Sequence, residues 1–521
     1  RDDTTKHGPG GVPITNEGAG GEVYNTIMYV EPSSHEEGTI WVGTDDGLVH
    51  VTRDGGDSWT EITPEGLPEG MVNSIEVSPH DAGSAYAVFT RYKYDDFTPH
   101  VYRTEDYGES WTRVVDGSDI DRAGAWVRVV REDPVREGLL YAGTELGMYV
   151  SFDDGGSWQP WLTATEPGDV EEGAIPVVPI TDLQVRHGDL VAATQGRGFW
   201  ILDDLSPVRQ LSGDVAGADL HLFRPDTAIQ WRGGRGFGGS GQHEGENPPQ
   251  GAQVFYSVAD TVDGPVTLTV TDSTGTAVRR YSTDTAAVEG EATEMPEPAP
   301  GLNRIAWDYR HDPVPEVPGI FEYGSTAGRL VPPGSYSLRL AAAGDTVTRS
   351  LEVVPDPRRE APRRAYLAQE RFMAEATELL ADANRTAIRV AEVRDQVEGL
   401  VERAEGRSGA GEVVETGRAL ADSLTAVYEE IVQPDRETFQ DVINFPPQIS
   451  DQILYLVGSV DGEVPPPTEG ERRRLDDLQS RWGQIRNRAE RLLDERVPSF
   501  NRTVSDAGLA GVVVPEGRSG G

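Results

Sequence analysis

One eight-residue pattern recurs three times in the first two hundred residues and limits the fold more than any other feature of the chain. Thr52-Arg-Asp-Gly-Gly-Asp-Ser-Trp59, Thr104-Glu-Asp-Tyr-Gly-Glu-Ser-Trp111 and Ser151-Phe-Asp-Asp-Gly-Gly-Ser-Trp158 all read Ser/Thr-x-Asp-x-Gly-x-Ser-Trp. Their acids Asp54, Asp106 and Asp153 recur at intervals of 47 to 52 residues. A β-rich run precedes each copy (40–44, 85–90 and 140–144), and further β-rich runs lie upstream at 26–30, 74–77 and 126–130. A fourth unit, with runs at 180–185, 190–194 and 199–202, lacks the pattern. Four short strands per unit at this period predict the blades of a β-propeller. The octapeptide suits a hairpin turn: Asp accepts backbone hydrogen bonds, Gly56, Gly108 and Gly155 supply positive φ, and Trp59, Trp111 and Trp158 pack between blades. The three acids are read as turn stabilisers, with a metal or catalytic role as the alternative.

These octapeptides resemble the Asp-boxes of sialidase-type and sortilin-type propellers. The run Asp45-Asp-Gly-Leu-Val-His-Val-Thr-Arg-Asp-Gly-Gly56, together with Ser78-Pro-His-Asp81, Tyr92-Lys-Tyr-Asp-Asp-Phe97, Gln195-Gly-Arg-Gly-Phe-Trp-Ile-Leu-Asp-Asp-Leu205 and Asn444-Phe-Pro-Pro447, resembles a group of exported bacterial proteins. These carry Asp-box (BNR) repeats, are about a thousand residues long and are often labelled glycosyl hydrolase or sortilin-like. The resemblance implies that this chain is their C-terminal half, that further blades precede Arg1 in cis, and that the protein is secreted, periplasmic or at the cell surface.

Strand order assigns faces. The octapeptide joins strands three and four of a blade and shares its face with the one–two loops. The two–three loops lie opposite, at 45–47, 91–100, 145–147 and 195–198, and by analogy with other propellers any ligand site is placed there. Asp45, Asp46, Asp95, Asp96 and Glu145 are candidate catalytic carboxylates, because glycoside hydrolysis needs a pair of them. Converging oxygens there also leave Ca²⁺ as an alternative, with no other cofactor or metal expected. Arg91, Tyr92, Tyr94, Arg197 and Trp200 are candidate ligand contacts. Arg197 stands in a Gly-Arg-Gly turn, and pairing with Asp203 or Asp204 is its structural alternative. The Arg-Ile-Pro run typical of sialidases is absent.

Three regions are expected: blades over 1–210, an Ig-like β-sandwich over 211–357 and an α-helical bundle with its tail over 358–521. The fold class is thus mainly β, followed by α. Trp231 to Gln250 is glycine-rich and lacks the Gly-Lys-Ser/Thr of a phosphate-binding loop, so it reads as a surface loop. Alternating runs at 254–258, 266–271, 277–281, 302–309 and 336–341 suggest the sandwich, and 283–300 a mobile loop. Gly301-Leu-Asn-Arg-Ile-Ala-Trp307 with Pro333-Gly-Ser-Tyr336 resembles an Ig module of the flagellar hook-cap type, usually a spacer or docking surface. Helical periodicity predicts helices to about 405, over 413–432, between the prolines at 446–447 and 465–467, and from 469 to 496, before Pro498. No histidine lies in this region, so a carboxylate–histidine di-metal site is not supported.

With 88 acidic against 46 basic residues the net charge is -42, and Lys6 and Lys93 are the only lysines. Such a polyanion argues against nucleic acid and anionic membrane as partners. It suits hydration in high salt, while a GC-rich genome would equally favour arginine over lysine. The chain contains no cysteine, which removes disulfides, thiolate zinc sites and cysteine nucleophiles. No apolar run reaches the ~18 residues of a membrane span. The reading is an exported, non-catalytic propeller that engages a glycan, peptide or protein. A glycoside hydrolase of sialidase- or xyloglucanase-like type, acting through the two–three loops, is the alternative, and an envelope assembly factor binding through the helices is a third.

Overall fold

The computed structural model describes residues 26–115, 120, 123–162, 174–231, 247–259, 264–288, 292–359, 361–462 and 464–515. The chain divides into two compact units, Arg1–Leu211 and Ser212–Gly521. The second holds both the later β region and the helices, which the sequence reading separates at 357/358.

Unit 1 is a succession of antiparallel meanders. The first contains β1 (Ile27–Pro32), β2 (Ile40–Thr44), β3 (Val49–Thr52) and β4 (Thr60–Glu61), hydrogen-bonded in that order. The second contains β5 (Met71–Val77), β6 (Ala85–Arg91), β7 (Asp96–Thr104) and β8 (Thr112–Val115), and the third β9 (Val127–Glu132), β10 (Leu140–Thr144), β11 (Gly147–Ser151) and β12 (Gln159–Trp161). The fourth has three strands, β13 (Ile180–Arg186), β14 (Asp189–Thr194) and β15 (Phe199–Leu202), followed by the short α1 (Ser206–Gln210). Glycine or αL residues mark the turns, and the strand interiors are rich in β-branched and aromatic side chains, the pattern that favours such sheets. The first strands pack side by side in the order β1, β5, β9, β13, as propeller blades do. Among the described residues the succession is open. Ile27, Met28 and Val30 on the leading face are 57%, 48% and 54% exposed, and Phe199 and Ile201 on β15 are 77% and 58% exposed.

Neighbouring blades are joined by the octapeptide tryptophans. The Trp111 indole N–H donates to Ile62 O at 2.6 Å and that of Trp158 to Val114 O at 3.1 Å, each acceptor lying on the preceding blade. Gly108 and Gly155, at φ +86° and +84°, allow this approach: a Cβ there would stand 2.5 Å from Ile62 and 2.9 Å from Val114. Histidines form a second tie on the same face, His35 Nε2 to Ser78 O at 2.9 Å and His80 Nε2 to Asp133 O at 2.8 Å.

Unit 2 opens with the short α2 (Gly213–Ala216) and continues with two sheets. Strands β16 (Leu220–Leu222), β18 (Ala252–Val258) and β22 (Gly301–Trp307) form the first, in that order. The second runs β17 (Ala228–Gln230), β24 (Asp345–Pro355), β23 (Gly334–Ala342), β19 (Thr267–Thr271), β20 (Ala277–Ser282) and β21 (Thr293–Glu294). Both contribute to one core, with Val254 and Tyr256 from one sheet and Leu268, Leu338 and Val353 from the other. The pairs β17–β24 and β20–β21 are parallel. Strand β24 escaped the sequence reading, and β21 stands inside the expected loop at 283–300. The expected glycine-rich loop falls mostly on 232–246, outside the described residues.

The helices are α3 (Arg363–Ala404), α4 (Gly411–Ile431), α5 (Ile449–Gly462), α6 (Glu469–Arg491) and α7 (Val497–Asp506), with a π turn at Leu492–Arg496 between the last two. Pro498 therefore begins a helix instead of following the last one. It lies in the first turn of α7, which continues directly from the π turn. Residues 310–330 strap the sheets to the helices. Val314 and Val317 enter the helical core, Asn384 Nδ2 donates to Pro315 O at 2.8 Å, and Arg310 and Arg329 pair with Asp461 and Glu370 at 2.8 and 3.0 Å.

Within this strap burial pushes the Glu322 carboxyl up to about 7, and the Asp451 and Glu316 charges push the same way. An acid raised on folding favours its neutral form, so its penalty grows as pH rises from the unfolded value near 4.5 through 7. Glu322→Gln is therefore expected to raise the thermal midpoint above pH 7 and leave it unchanged near pH 4. Parallel Tm-against-pH curves for the two proteins would contradict this.

Candidate functional site

The octapeptides serve their own turns. Asp54 accepts from Ser58 N at 2.9 Å and Thr52 Oγ1 at 2.8 Å through one oxygen, and from Ser58 Oγ at 2.5 Å through the other. Asp106 repeats this with Ser110 and Thr104, and Asp153 with Ser157 and Ser151. The Ser58 and Thr52 hydrogen bonds hold the Asp54 carboxyl down at about 2. Gly55 N donates to Gly38 O, which sets the octapeptide on the same face as the one–two loop.

On the opposite face three of the two–three turns are tied to the entries of their first strands: Asp45 N to Thr26 O, Glu145 N to Trp126 O and Gln195 N to Pro179 O. The expected long loop at 91–100 is shorter than the sequence suggests. A 3-10 turn occupies Tyr92–Tyr94, Asp95 closes it at φ 55°, and β7 begins at Asp96, which pairs in register with Arg91. The polar run read as loop is thus largely strand, because Asp96 meets its counter-charge across the hairpin.

The carboxylates on this face are held by neighbours. Burial alone would raise the Asp96 carboxyl, but hydrogen bonds from Arg91, Thr98 and His100 hold it well below the ordinary carboxylate range. Burial lowers His100. Glu145 takes Arg128 Nε at 2.6 Å and its terminal nitrogen at 2.5 Å. Asp46 is 1% exposed and accepts from the Thr44 hydroxyl, while Asp45 accepts Thr26 N at 2.9 Å. Asp95 is exposed at the turn.

What the fold assembles here is an aromatic platform. Tyr92 stacks on Trp126 with centroids 5.4 Å apart and planes 16° apart, and Phe97 lies 5.3 Å from the same indole. The Arg128 guanidinium stands 5.8 Å from that ring, and the Arg91 guanidinium 5.3 Å from Tyr94. Phe97 is 46% exposed, whereas the Trp126 indole nitrogen is buried without an acceptor among the described residues. Three chain segments meet: the second hairpin, the entry to β9 and the third two–three turn. Gly70 continues this rim toward the first blade, since a Cβ there would meet Arg91 while Gly70 itself backs the Gly47 turn. Phe97, Trp126 and Arg128 were not among the sequence candidates. The available signal was a tryptophan outside the octapeptides, in a blade-to-blade connection.

Arg197 and Trp200 remain within their own hairpin. Arg197 is exposed between Gly196 and Gly198, at φ +89° and +71°, and the Trp200 indole N–H donates to Arg197 O at 3.2 Å. Among the described residues no group of three or more His, Asp or Glu side chains is arranged to hold a metal ion.

A second polar assembly lies on the first strands. Arg131, 4% exposed, donates to Leu183 O at 2.9 Å, Val130 O at 3.0 Å, Tyr29 Oη at 2.8 Å and Asp182 at 2.7 Å, with Glu76 at 3.4 Å. One guanidinium thereby reaches all four blades. Burial pushes Glu76 up to about 8 against the opposing pull of Arg131, and burial also raises Glu31.

No family model matches the chain, and no curated protein matches it. Among solved structures, it is similar to YCF48 from Cyanidioschyzon merolae at 16% identity, over 34% of this chain and 53% of that one, with a TM-score of 0.26. A structure of YCF48 bound to D1 peptide matches at 18% identity, 34% and 52% coverage and 0.26. The GH74 xyloglucanase from Xanthomonas campestris matches at 14% identity, 67% and 48% coverage and 0.27. The Niastella koreensis GH74 enzyme matches at 12%, 63% and 54%, and 0.27. The chain spans about half the length of these proteins. At such scores the likenesses do not carry the fold, which rests on the strand order and blade packing described above.

Proposed function

We propose that this chain is an exported, non-catalytic binding and scaffold protein of the Asp-box propeller kind, whose blades engage a glycan at the face opposite the octapeptides. The observation that supports this is the Tyr92–Trp126–Phe97 platform beside Arg128 and Glu145. The C–H faces of a sugar ring stack on such aromatic surfaces, and the Arg–Glu pair offers a donor and an acceptor to hydroxyls at its edge. A buried indole N–H without an acceptor is also a group that a ligand oxygen or an ordered water satisfies. Peptide and protein partners are alternative occupants of the same face, whereas nucleic acid and anionic membrane are disfavoured by the charge.

A hydrolase needs one carboxyl that holds its proton at working pH and a second free to act as base or nucleophile. Asp96 is held ionised by Arg91, Glu145 is clamped by Arg128 and Asp46 is buried, so the binding reading is preferred. In this reading the two-sheet region is an Ig-like spacer, and the leading face around Trp59 receives a further blade of the same propeller.

Glycan-array screening followed by calorimetry tests the proposal. Trp126→Ala is expected to weaken the best glycan by roughly tenfold or more, as loss of a central aromatic anchor does. Turnover of a glycan that disappears in Glu145→Gln or Asp96→Asn would overturn it, and so would glycan binding indifferent to Trp126.

A further inference from the structure

The segment between α4 and α5 turns apolar side chains outward. Phe439 and Ile443, at the two ends of the 3-10 turn Phe439–Ile443, are 60% and 84% exposed. Tyr323 from the strap is 49% exposed, with its ring 5.2 Å from that of Phe439. Pro446 and Pro447 of the Asn-Phe-Pro-Pro motif are exposed beside them in sequence.

The segment is braced from beneath. Asp441 accepts from Thr438 N at 2.8 Å and Thr438 Oγ1 at 3.0 Å, which closes the turn. Arg436, 4% exposed, donates to Phe445 O at 2.8 Å and pairs with Asp451 at 2.7 Å. A fixed turn that holds two large apolar side chains in water, beside a third from the strap, fits an interaction surface better than a frayed connection.

Charge identifies the partner. Asp435 and Glu437 are exposed and Asp441 is partly exposed around the apolar centre. The only cation between residues 433 and 448 is Arg436, which is turned inward and neutralised by Asp451. The flank carrying Asp435, Glu437 and Asp441 is therefore negative, while Arg474 and Arg481 reach only the Pro447 end through Gln452, and complementarity on the acidic flank selects a cationic ligand. We propose that Tyr323, Phe439 and Ile443 form a docking patch for a peptide segment of a partner protein whose apolar side chains are flanked by lysine or arginine. This surface lies in unit 2 and does not depend on the glycan reading of unit 1.

The probe is a fluorescein-labelled synthetic peptide, Lys-Leu-Phe-Lys-Leu-Phe-Lys amide, with a control in which glutamate replaces every lysine. Anisotropy titration against the whole chain is expected to show binding of the lysine peptide alone. Ile443→Ser, and Phe439→Ser with Ile443→Ser, should weaken it by about tenfold or more, an effect of the size seen at interface anchors. Asp435→Asn with Glu437→Gln should flatten its salt dependence. Trp126→Ala should leave it unchanged, so failure of the glycan reading is distinguishable from failure here. Both serine sites are exposed, and an unchanged thermal midpoint confirms that the variants fold. Equal binding of the glutamate peptide would overturn the proposal. So would lysine-peptide binding indifferent to Phe439 and Ile443, since it would show diffuse attraction to the chain's negative charge.

Discussion

Trp158→Ala is expected to destabilise unit 1 by about 3–5 kcal/mol, the usual cost of deleting a buried indole, whereas Trp59→Ala should cost under about 1 kcal/mol. The two residues close octapeptides of one pattern. Trp158 is 7% exposed, enters the core between the second and third blades and donates to Val114 O. Trp111 does the same for the first and second blades, through Ile62 O. Trp59 holds the same position on the leading blade and is 45% exposed, because no earlier blade covers it among the described residues. Urea unfolding of the whole chain, followed in its first transition, separates the two cases. Similar losses for Trp59 and Trp158 would show that the leading face is covered, and the open arc would then be wrong.

This contrast also shows what in the sequence determines structure. The octapeptide is legible because its invariant Ser/Thr, Asp, Gly and Ser positions close local hydrogen bonds and Trp111 and Trp158 contact the preceding blade, so its pattern survives without distant information. Strand number per blade follows for the same reason. Asp96 misleads because it looks like a turn residue. Its partner Arg91 lies across the hairpin, and only the register reveals that it belongs to a strand. Strand β24 was missed for a different reason: although it forms a local antiparallel hairpin with β23, its 11 residues are half exposed and polar and show no apolar alternation at their start.

The candidate site was half legible. Its face and Tyr92 followed from strand order, since alternation of loops between two ends is a topological necessity. Trp126 and Phe97 were not legible, because ring contacts between a hairpin and a blade connection leave no periodic trace. The positions of Glu31, Glu76 and Arg131 do leave one. Each stands two residues before Ser33, Ser78 or Asp133, whose N–H groups close the one–two loops onto Thr39, Ser84 and Leu139. A charged residue repeated at one register of successive first strands marks an axis, and only the spatial order of those strands shows that the charges meet.

That meeting leads to the second large effect. Arg131→Met is expected to cost about 3–5 kcal/mol at pH 7, because it leaves several buried acceptors unpaired at about 1–3 kcal/mol each. The mutation withdraws donors from Leu183 O, Val130 O, Tyr29 Oη and Asp182 together, so it loosens β1, β9 and β13. Glu76 should behave in the opposite sense. With its carboxyl raised by burial to about 8, it is largely neutral at pH 7 and contributes little ionic attraction to Arg131. The folded state binds this proton more tightly than the unfolded chain does, so stability falls as pH climbs from about 4.5 through 8. Glu76→Gln is therefore expected to be nearly neutral in acid and stabilising in alkali, with a flatter pH profile. Asp182, whose side chain is 50% exposed, pairs with Arg131 at 2.7 Å, and solvent screening should keep the cost of Asp182→Asn to about 1 kcal/mol or less. If Arg131→Met unfolds within about 1 kcal/mol of the parent, or Glu76→Gln is as damaging as Arg131→Met, the guanidinium does not hold the arc together, and the tryptophan interlocks must do so alone.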